Sequence, residues 1–392
     1  MNKNYQIILY GATGFTGKLC AEYFKKNYPD LNWAIAGRNK NKLEALKSEL
    51  NLDCDIFVAD SDDYEAIKNF VKQTKVVLSA AGPFARYSTK VVEACVECKT
   101  HYTDITGENH WVKGLIDRFH EKAALDGTRI VPSCGYDSIP SDLGVYFSVT
   151  RSNQPVNHVT VYHSAKGGAS GGTTETMFTM GPLPKEMRDP FLLNPQDSVS
   201  ETQKRKSLDN FSVKPIPGTD AFSGMGLMAF ANTRVVRRSS ALFDLNQKSY
   251  GPDFTFKELG SYPSKAAARI TSFVLMSAFL VIATPLRYLV RPLLPKPGDG
   301  PDKEARDNGW FRGLFIAELE DGSEKRFEIY GSGDPGYKST SKMVCEAALT
   351  LAFSDDLPFG NEFGGVLTSA VGLGDPLISR LMKAGITFEA LS

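Results

Sequence analysis

The chain has 392 residues, enough for two or three domains at about 100–200 residues each. Its apolar fraction of 42% and charged fraction of 23% are those of a folded globular protein, which excludes disorder and collagen-like or low-complexity sequence for most of its length. Lys plus Arg and Asp plus Glu each number 45, so the net charge is zero; nucleic acid finds no basic footprint, and there is no acidic solvating tail. Six cysteines, Cys20, Cys54, Cys95, Cys98, Cys134 and Cys345, are spread too thinly for the disulfide framework of a small secreted domain. The opening apolar run, Ile7–Tyr10, leads into glycines and is no signal peptide, so a reducing cytoplasm is expected.

Gln6–Tyr10 has the character of a strand buried on both faces. It runs into Gly11-Ala12-Thr13-Gly14-Phe15-Thr16-Gly17, and Lys18–Phe24 follows with apolar residues at helical spacing. Strand, glycine turn and helix form the context a dinucleotide fingerprint requires, spaced here G-x-x-G-x-x-G in place of G-x-G-x-x-G. By analogy with that motif, Gly11 makes the tight turn, Gly14 lets a pyrophosphate approach the backbone, and Gly17 lets the helix pack on the sheet. Thr13, Phe15 and Thr16 lie between them, at a helix start whose free N–H groups supply an anion site.

A second strand, Asn32–Gly37, ends in Arg38, Asn39 and Lys40, with no acid before Glu44. NAD enzymes hold the ribose hydroxyls with a carboxylate at this place, whereas an arginine suits a 2′-phosphate. NADPH is therefore expected over NADH, the alternative being a surface arginine on a solvated loop. A third strand over 53–60 ends at Asp60, placed either to meet the adenine amino group or to cap the next helix. A fourth, Val76–Ser79, leads to Ala80-Ala81-Gly82-Pro83, small residues that let backbone run beneath a flat ring and phosphates. After a helical pattern around 115–125, Ile130–Gly135 is a further strand. Strands alternating with helical patterns predict a doubly wound parallel sheet of Rossmann type.

At this point the sequence resembles the saccharopine dehydrogenase-like oxidoreductases, most closely the branch of the trans-acting enoyl reductases. The resemblance rests on YGATGFTGKL (10–19), AIAGRNKNKL (34–43), SAAGPFARYSTKVVEAC (79–95), HYTDITGE (101–108), VPSCGYDSIPSDLG (131–144), SGGTTET (170–176) and GGVLTSAVGLGDPLISRL (364–381). It implies an NADP-binding Rossmann domain, a second α/β (α+β) domain, and chemistry on amino acids in some members or lipid reduction in others. Matching blocks are few over 181–340, which leaves the substrate less defined than the cofactor.

Val156–His163 alternates apolar and polar residues like a half-exposed strand. The glycine cluster from Lys166 to Glu175 reads equally as a ligand-approaching backbone or a mobile hairpin loop. Residues 181–220, with Pro182, Pro184, Pro190, Pro195, Pro215 and Pro217, read as a long irregular connection or lid. Ala221–Arg238 and Phe311–Tyr330 have strand character, and from Ser339 the pattern turns helical. The expected organisation is an NADP-binding domain over 1–135, a substrate or dimerisation domain over 136–340, and a C-terminal helical segment over 341–392 that returns to the first domain or the hinge.

Residues 270–286 are apolar without a charge, flanked by Lys265, Arg269, Arg287 and Arg291. The stretch falls just short of a bilayer span and ends at Pro285, and a crossing would divide one domain. Three readings remain: a buried core helix, a monotopic contact with the inner face of a membrane, and a homodimer interface.

Cys95-x-x-Cys98 with His101 is too little for a zinc site, and His101, His110, His120, His158 and His163 show no H-E-x-x-H spacing. No metal is expected. A G-x-S-x-G elbow is also absent. Tyr10 and Trp33 read as packing. Hydride transfer needs cofactor and acceptor held together, with a donor where charge develops. The segment leaving the sheet therefore supplies the catalytic candidates: Tyr136 to donate a proton, and Asp137 and Ser138 to position the reactants, although Asp-Ser-x-Pro also reads as a helix cap. Lys166 and Thr173 are secondary candidates. The leading reading is an NADPH-dependent reductase of a hydrophobic acyl or lipid substrate at a membrane surface. A saccharopine-type amino-acid dehydrogenase is the alternative, with Arg234, Arg237 and Arg238 as carboxylate binders or as a solvated strand. A dinucleotide-binding scaffold or sensor is the third.

Overall fold

A computed structural model describes residues 3–167, 188–209, 211–282, 284–290 and 302–391. The expected alternation is present: β1 (Tyr5–Tyr10), α1 (Phe15–Asn27), β2 (Trp33–Gly37), α2 (Lys40–Glu49), β3 (Asp55–Val58), α3 (Tyr64–Val71) and β4 (Thr74–Ser79). After the short α4 (Phe84–Tyr87) come α5 (Thr89–Glu97), β5 (His101–Asp104), α6 (Asn109–Leu125), β6 (Arg129–Val131) and α7 (Ile139–Thr150). Ile7, Ile8, Leu9, Ala34, Ile35, Val76, Val77 and Leu78 have no solvent exposure, because helices cover both faces of the sheet. Its order is β12-β6-β5-β4-β1-β2-β3 with every pairing parallel, the doubly wound arrangement with one added edge strand, β12 (Gly365–Val366).

The second sheet is mixed, in the order β13-β11-β10-β7-β9-β8. It comprises β7 (Val156–Lys166), β8 (Phe222–Gly224), β9 (Thr255–Tyr262), β10 (Trp310–Leu319), β11 (Glu324–Ser332) and β13 (Ile386–Leu391). Among its helices, α8 (Glu201–Lys206) opens with a capping box of Ser200 and Gln203, so the proline-rich connection holds one regular turn. The other two before the hairpin are α9 (Ala229–Leu245) and α10 (Lys265–Ile282). Beyond α10 come α11 (Arg287–Val290), α12 (Lys303–Asp307), a π-type turn over Pro335–Ser339, α13 (Thr340–Phe353), α14 (Ser369–Gly372) and α15 (Gly374–Lys383). The residues after 341 thus contribute a strand to each sheet as well as helices, and α13 packs on α1, β1, β4 and β5.

One expectation needs correction, and one of three open readings is excluded. Ala221–Arg238 is strand only over Phe222–Gly224, and from Ala229 it is the helix α9. That helix is buried on every face over Asn232–Phe243, so no polar stripe marks its period. The apolar segment is not a core helix either. In α10 only Ala268 and Ser272 are buried, while Ile270, Phe273 and Leu280 are 66%, 73% and 67% exposed. A single crossing of a bilayer by α10 would place β9 and β10, strands of one sheet, on opposite sides.

Candidate cofactor and active site

The glycine turn is built for close approach. Gly11 has φ +80°, and a Cβ there would sit 2.8 Å from the Ala81 nitrogen, so the turn off β1 and the exit of β4 touch backbone to backbone. A Cβ on Gly17 would lie 2.2 Å from the Gly11 carbonyl oxygen, which fixes α1 against the turn. Gly14 is the N-cap of α1; it is exposed, and a Cβ there meets only the Gly11 and Ala80 carbonyl oxygens, at 3.4 and 4.0 Å. No side chain caps this helix and its first turn carries no acid, so the start of α1 offers its N–H groups and positive dipole end to an anion. Thr13 is exposed beside Gly14, and Thr16 is half-buried. Phe15 packs edge-on against Tyr337 at 4.6 Å, joining the turn to the Pro335–Ser339 segment.

Arg38 follows β2 with its side chain exposed and makes no ion pair among the described residues. Asn39, also exposed, is occupied as the N-cap of α2, accepting from the Lys42 N–H at 3.0 Å. Asp60 does not cap α3; Asp63 does, while Asp60 accepts from the Asp62 N–H within its own turn. Ala80 and Ala81 are half-buried, Gly82 is exposed, and Gly82–Pro83 is a cis peptide. Buried Glu108 secures this exit by accepting from the Phe84 and Ala85 N–H groups at 2.8 and 3.0 Å. Open glycine backbone, an uncapped helix start and an unpaired guanidinium at the end of β2 together fit a dinucleotide carrying an extra phosphate.

The catalytic candidates lie between β6 and α7. Asp104, at the end of β5, accepts from the Thr106 and Ser133 N–H groups, both at 2.9 Å, and from the Tyr102 hydroxyl at 2.8 Å, which ties the ends of β5 and β6 together. Next, the Tyr136 N–H donates to Thr340 Oγ1 at 3.0 Å, and its ring lies 5.1 Å from that of Phe311; burial pushes its hydroxyl pKa well up. Asp137 is half-buried and faces Gly107, whose Cβ would be 3.9 Å from Asp137 Oδ2; burial raises its carboxyl pKa to about 6. Ser138 is the N-cap of α7 but makes no capping bond: its hydroxyl donates instead to Asn232 Oδ1 at 3.1 Å. The cap reading of Asp-Ser-x-Pro therefore does not describe its side chains.

That serine leads to a buried cluster the sequence did not single out. Glu258 Oε2 accepts from Ser141 Oγ at 2.7 Å, and Oε1 accepts from Asn232 Nδ2 at 3.0 Å. His163 Nε2 lies 2.9 Å from Ser141 Oγ and 3.8 Å from Glu258 Oε2. Burial lowers the His163 pKa to about 4, so the imidazole is neutral at pH 7 and supplies no charge to the carboxyl; burial raises Glu258 to about 7. The one sequence signal was an acid sharing a strand face with Phe256.

Other candidates fall elsewhere. Arg234, Arg237 and Arg238 are buried on α9, not on a solvated strand, and their guanidiniums are spent on the connection that precedes it. Arg234 pairs with Asp209 at 2.5 Å and donates to the Arg188 carbonyl. Arg237 pairs with Asp209 and donates to the Pro190 and Ser207 carbonyls, and Arg238 donates to the Leu193 and Val366 carbonyls. Lys166 is exposed at the end of β7, while Thr173 and most of the glycine cluster lie outside the described residues. Among the described residues no group of His, Cys, Asp or Glu could hold a metal.

Residues 7–131 match the saccharopine dehydrogenase NADP-binding domain family. Over 416 residues the chain is 34% identical to a protein of Mycobacterium tuberculosis that is provisionally named a trans-acting enoyl reductase, covering 99% of this chain and 97% of that one. The trans-acting enoyl reductase of Mycobacterium ulcerans is 32% identical over 420 residues, at 99% and 98% coverage. The chain belongs to this family. It is an NAD(P)-dependent oxidoreductase of the saccharopine dehydrogenase-like group, in the trans-acting enoyl reductase branch. Two solved structures share the fold: saccharopine dehydrogenase (L-Glu forming) of Saccharomyces cerevisiae, with TM-score 0.56, 14% identity and coverage of 99% and 100%, and homospermidine synthase of Legionella pneumophila in complex with NAD, with TM-score 0.57, 8% identity and coverage of 100% and 92%.

Proposed function

We propose that this family member is an NADPH-dependent reductase of an α,β-unsaturated hydrophobic acyl thioester, working at a lipid surface. The reading is carried by full-length similarity to enoyl reductases, combined with the buried acid-and-hydroxyl cluster of Glu258 and Ser141. The saccharopine-type alternative needed Arg234, Arg237 and Arg238, all committed to Asp209 and backbone carbonyls.

NADPH, when bound, supplies a hydride for the β-carbon of the double bond. Thr13, Phe15 and Thr16 would meet its pyrophosphate with N–H groups, Gly14, whose own N–H donates to the Gly11 carbonyl at 3.0 Å, would let it approach the backbone, Gly11 and Gly17 shape that turn, and Arg38 would take the 2′-phosphate. Ala80, Ala81, Gly82 and Pro83 form the flat floor beneath it, while Asn39 and Asp60 border the adenosine end. Tyr136, held by Thr340 and Phe311, forms a wall for the acyl group, and half-buried Asp137 orients it. With its hydroxyl pKa raised by burial, Tyr136 is a weak proton donor.

The lipid surface enters through α10. Met225 N–H donates to Ser272 Oγ at 2.9 Å and Phe230 packs edge-on against Phe279, so the helix is anchored beside α9 while its apolar face stays bare. With Lys265 and Arg269 exposed at its start and Arg287 half-buried beyond its end, this suits an interfacial helix with basic groups at the headgroups. The test is NADPH oxidation, followed with purified protein and enoyl thioesters of increasing chain length. Oxidation that rises with chain length is expected. Reduction of NADP+ by α-amino acids, with no reaction of any thioester, would favour the saccharopine-type reading, and cofactor binding without turnover would favour the scaffold.

A further inference from the structure

We propose that Glu258 is the acid of the reduction, giving its proton to the α-carbon and recovering it through Ser141 and His163. The proposal rests on the enoyl-reductase reading. Hydride addition at the β-carbon moves the double-bond electron pair toward the α-carbon and thioester carbonyl, and one proton must then arrive at the α-carbon. A protonated Glu258 supplies that proton and becomes a carboxylate, which the Ser141 hydroxyl and Asn232 amide already address at 2.7 and 3.0 Å. With the Ser138 hydroxyl donating to its Oδ1, Asn232 directs its N–H group at Glu258. Ser141 stands between the carboxyl and His163 Nε2, 2.9 Å away. As its hydroxyl proton moves to the carboxylate, it takes the Nε2 proton of His163 while Nδ1 takes one that originates in water, so the imidazole exchanges one neutral tautomer for the other. His163 is the more exposed member, at 14% of its side chain against 3% for Glu258.

Position supports the assignment. Asp137 lies close enough to Glu258 and to Tyr337 to raise the proton affinity of both, and Tyr337 is the residue that touches Phe15 at the cofactor turn. Asp137 and Tyr337 thus connect the cluster to the cofactor turn. On its other side Glu258 lines a cavity with Leu208, Phe211, Met225, Ala229 and Phe230, and Phe230 packs on Phe279 of α10. The cavity is small, about 30 Å³, with Asp209, Thr233, Arg237 and Lys257 on its polar side, and the Phe230–Phe279 contact ties its apolar side to α10. The ionisable groups around Glu258 are His163 on β7, Asp137 and Tyr136 before α7, and Lys257, Asp209 and Arg237 on the cavity wall, with Arg237 paired to Asp209.

The experiment measures kcat, KM and NADPH affinity of wild type, Glu258→Gln and Ser141→Ala across pH, with a long-chain enoyl thioester in H2O and D2O. Because the protonated form donates, wild-type kcat is expected to fall as pH rises through about 7. Glu258→Gln is expected to bind NADPH as wild type does, to lose about 100-fold or more in kcat, and to lose that pH limb. Ser141→Ala keeps the carboxyl but breaks the relay, so kcat falls and its solvent isotope effect rises at unchanged KM. If Glu258→Gln does not fold, Ser141→Ala alone decides. A wild-type pH profile in Glu258→Gln, or an unchanged isotope effect in Ser141→Ala, overturns the proposal while leaving the enoyl-reductase reading intact. No wild-type turnover of any enoyl thioester removes that reading and the proposal with it.

Discussion

At the scale of single residues, the cofactor turn depends on contacts that leave no room for a methyl group. Gly17 is the sharpest case: a Cβ would press on the Gly11 carbonyl oxygen at 2.2 Å and the Ala12 Cα at 2.8 Å, both backbone atoms that no rotamer can move. Gly17→Ala is expected to cost about 1–3 kcal/mol by overpacking and to weaken cofactor binding, because α1 must shift off the turn. Urea unfolding and NADPH titration check this, and wild-type values in both would contradict the packing account. These glycines were legible in the sequence because strand, turn and helix follow one another without interruption. Glu258 was not legible. A lone acid in a strand ordinarily faces solvent, and only the folded chain brings Ser141, Asn232 and His163, from three other elements, around it.

At the scale of elements, legibility followed burial. Strands β1, β2 and β4 are covered on both faces, so they read as continuous apolar runs. Helix α9 misled for the opposite reason: three arginines marked an exposed face that does not exist, because loop carbonyls and Asp209 take up their charges in the interior. For α10 the sequence left core, lipid and subunit contact open, and the bare face removes the first. Phe273, 73% exposed, separates folding from docking. Phe273→Asp is expected to leave the melting temperature within about 1 °C, as for a surface change worth under ~0.5 kcal/mol, while abolishing partition onto liposomes. Retained liposome binding would contradict the lipid contact. A concentration-dependent dimer that dissociates on Phe273→Asp would assign the face to a second copy instead.

At the scale of the whole molecule, the two sheets are stitched together by the last fifty residues. β12 extends the first sheet, β13 extends the second, and buried Asp142 on α7 accepts from the Ser239 hydroxyl of α9 and, at 2.8 Å each, from the Ser369 hydroxyl and Ala370 N–H of α14. A chain truncated after residue 340 loses both edge strands and α13. It is expected to show no cooperative thermal transition by circular dichroism; a sharp melt would mean that the sheets stand without their stitch. The glycine turn at the end of β1 serves catalysis only if it holds NADPH. The most direct measurement is calorimetric titration of the whole protein with NADPH and NADH, repeated on Arg38→Ala. The structure predicts tighter binding of NADPH in the wild type and a loss of about 10–100-fold for NADPH alone in the variant, the value of a charged hydrogen bond to phosphate. Equal affinity for the two cofactors, or an Arg38→Ala variant that binds NADPH unchanged, would contradict it.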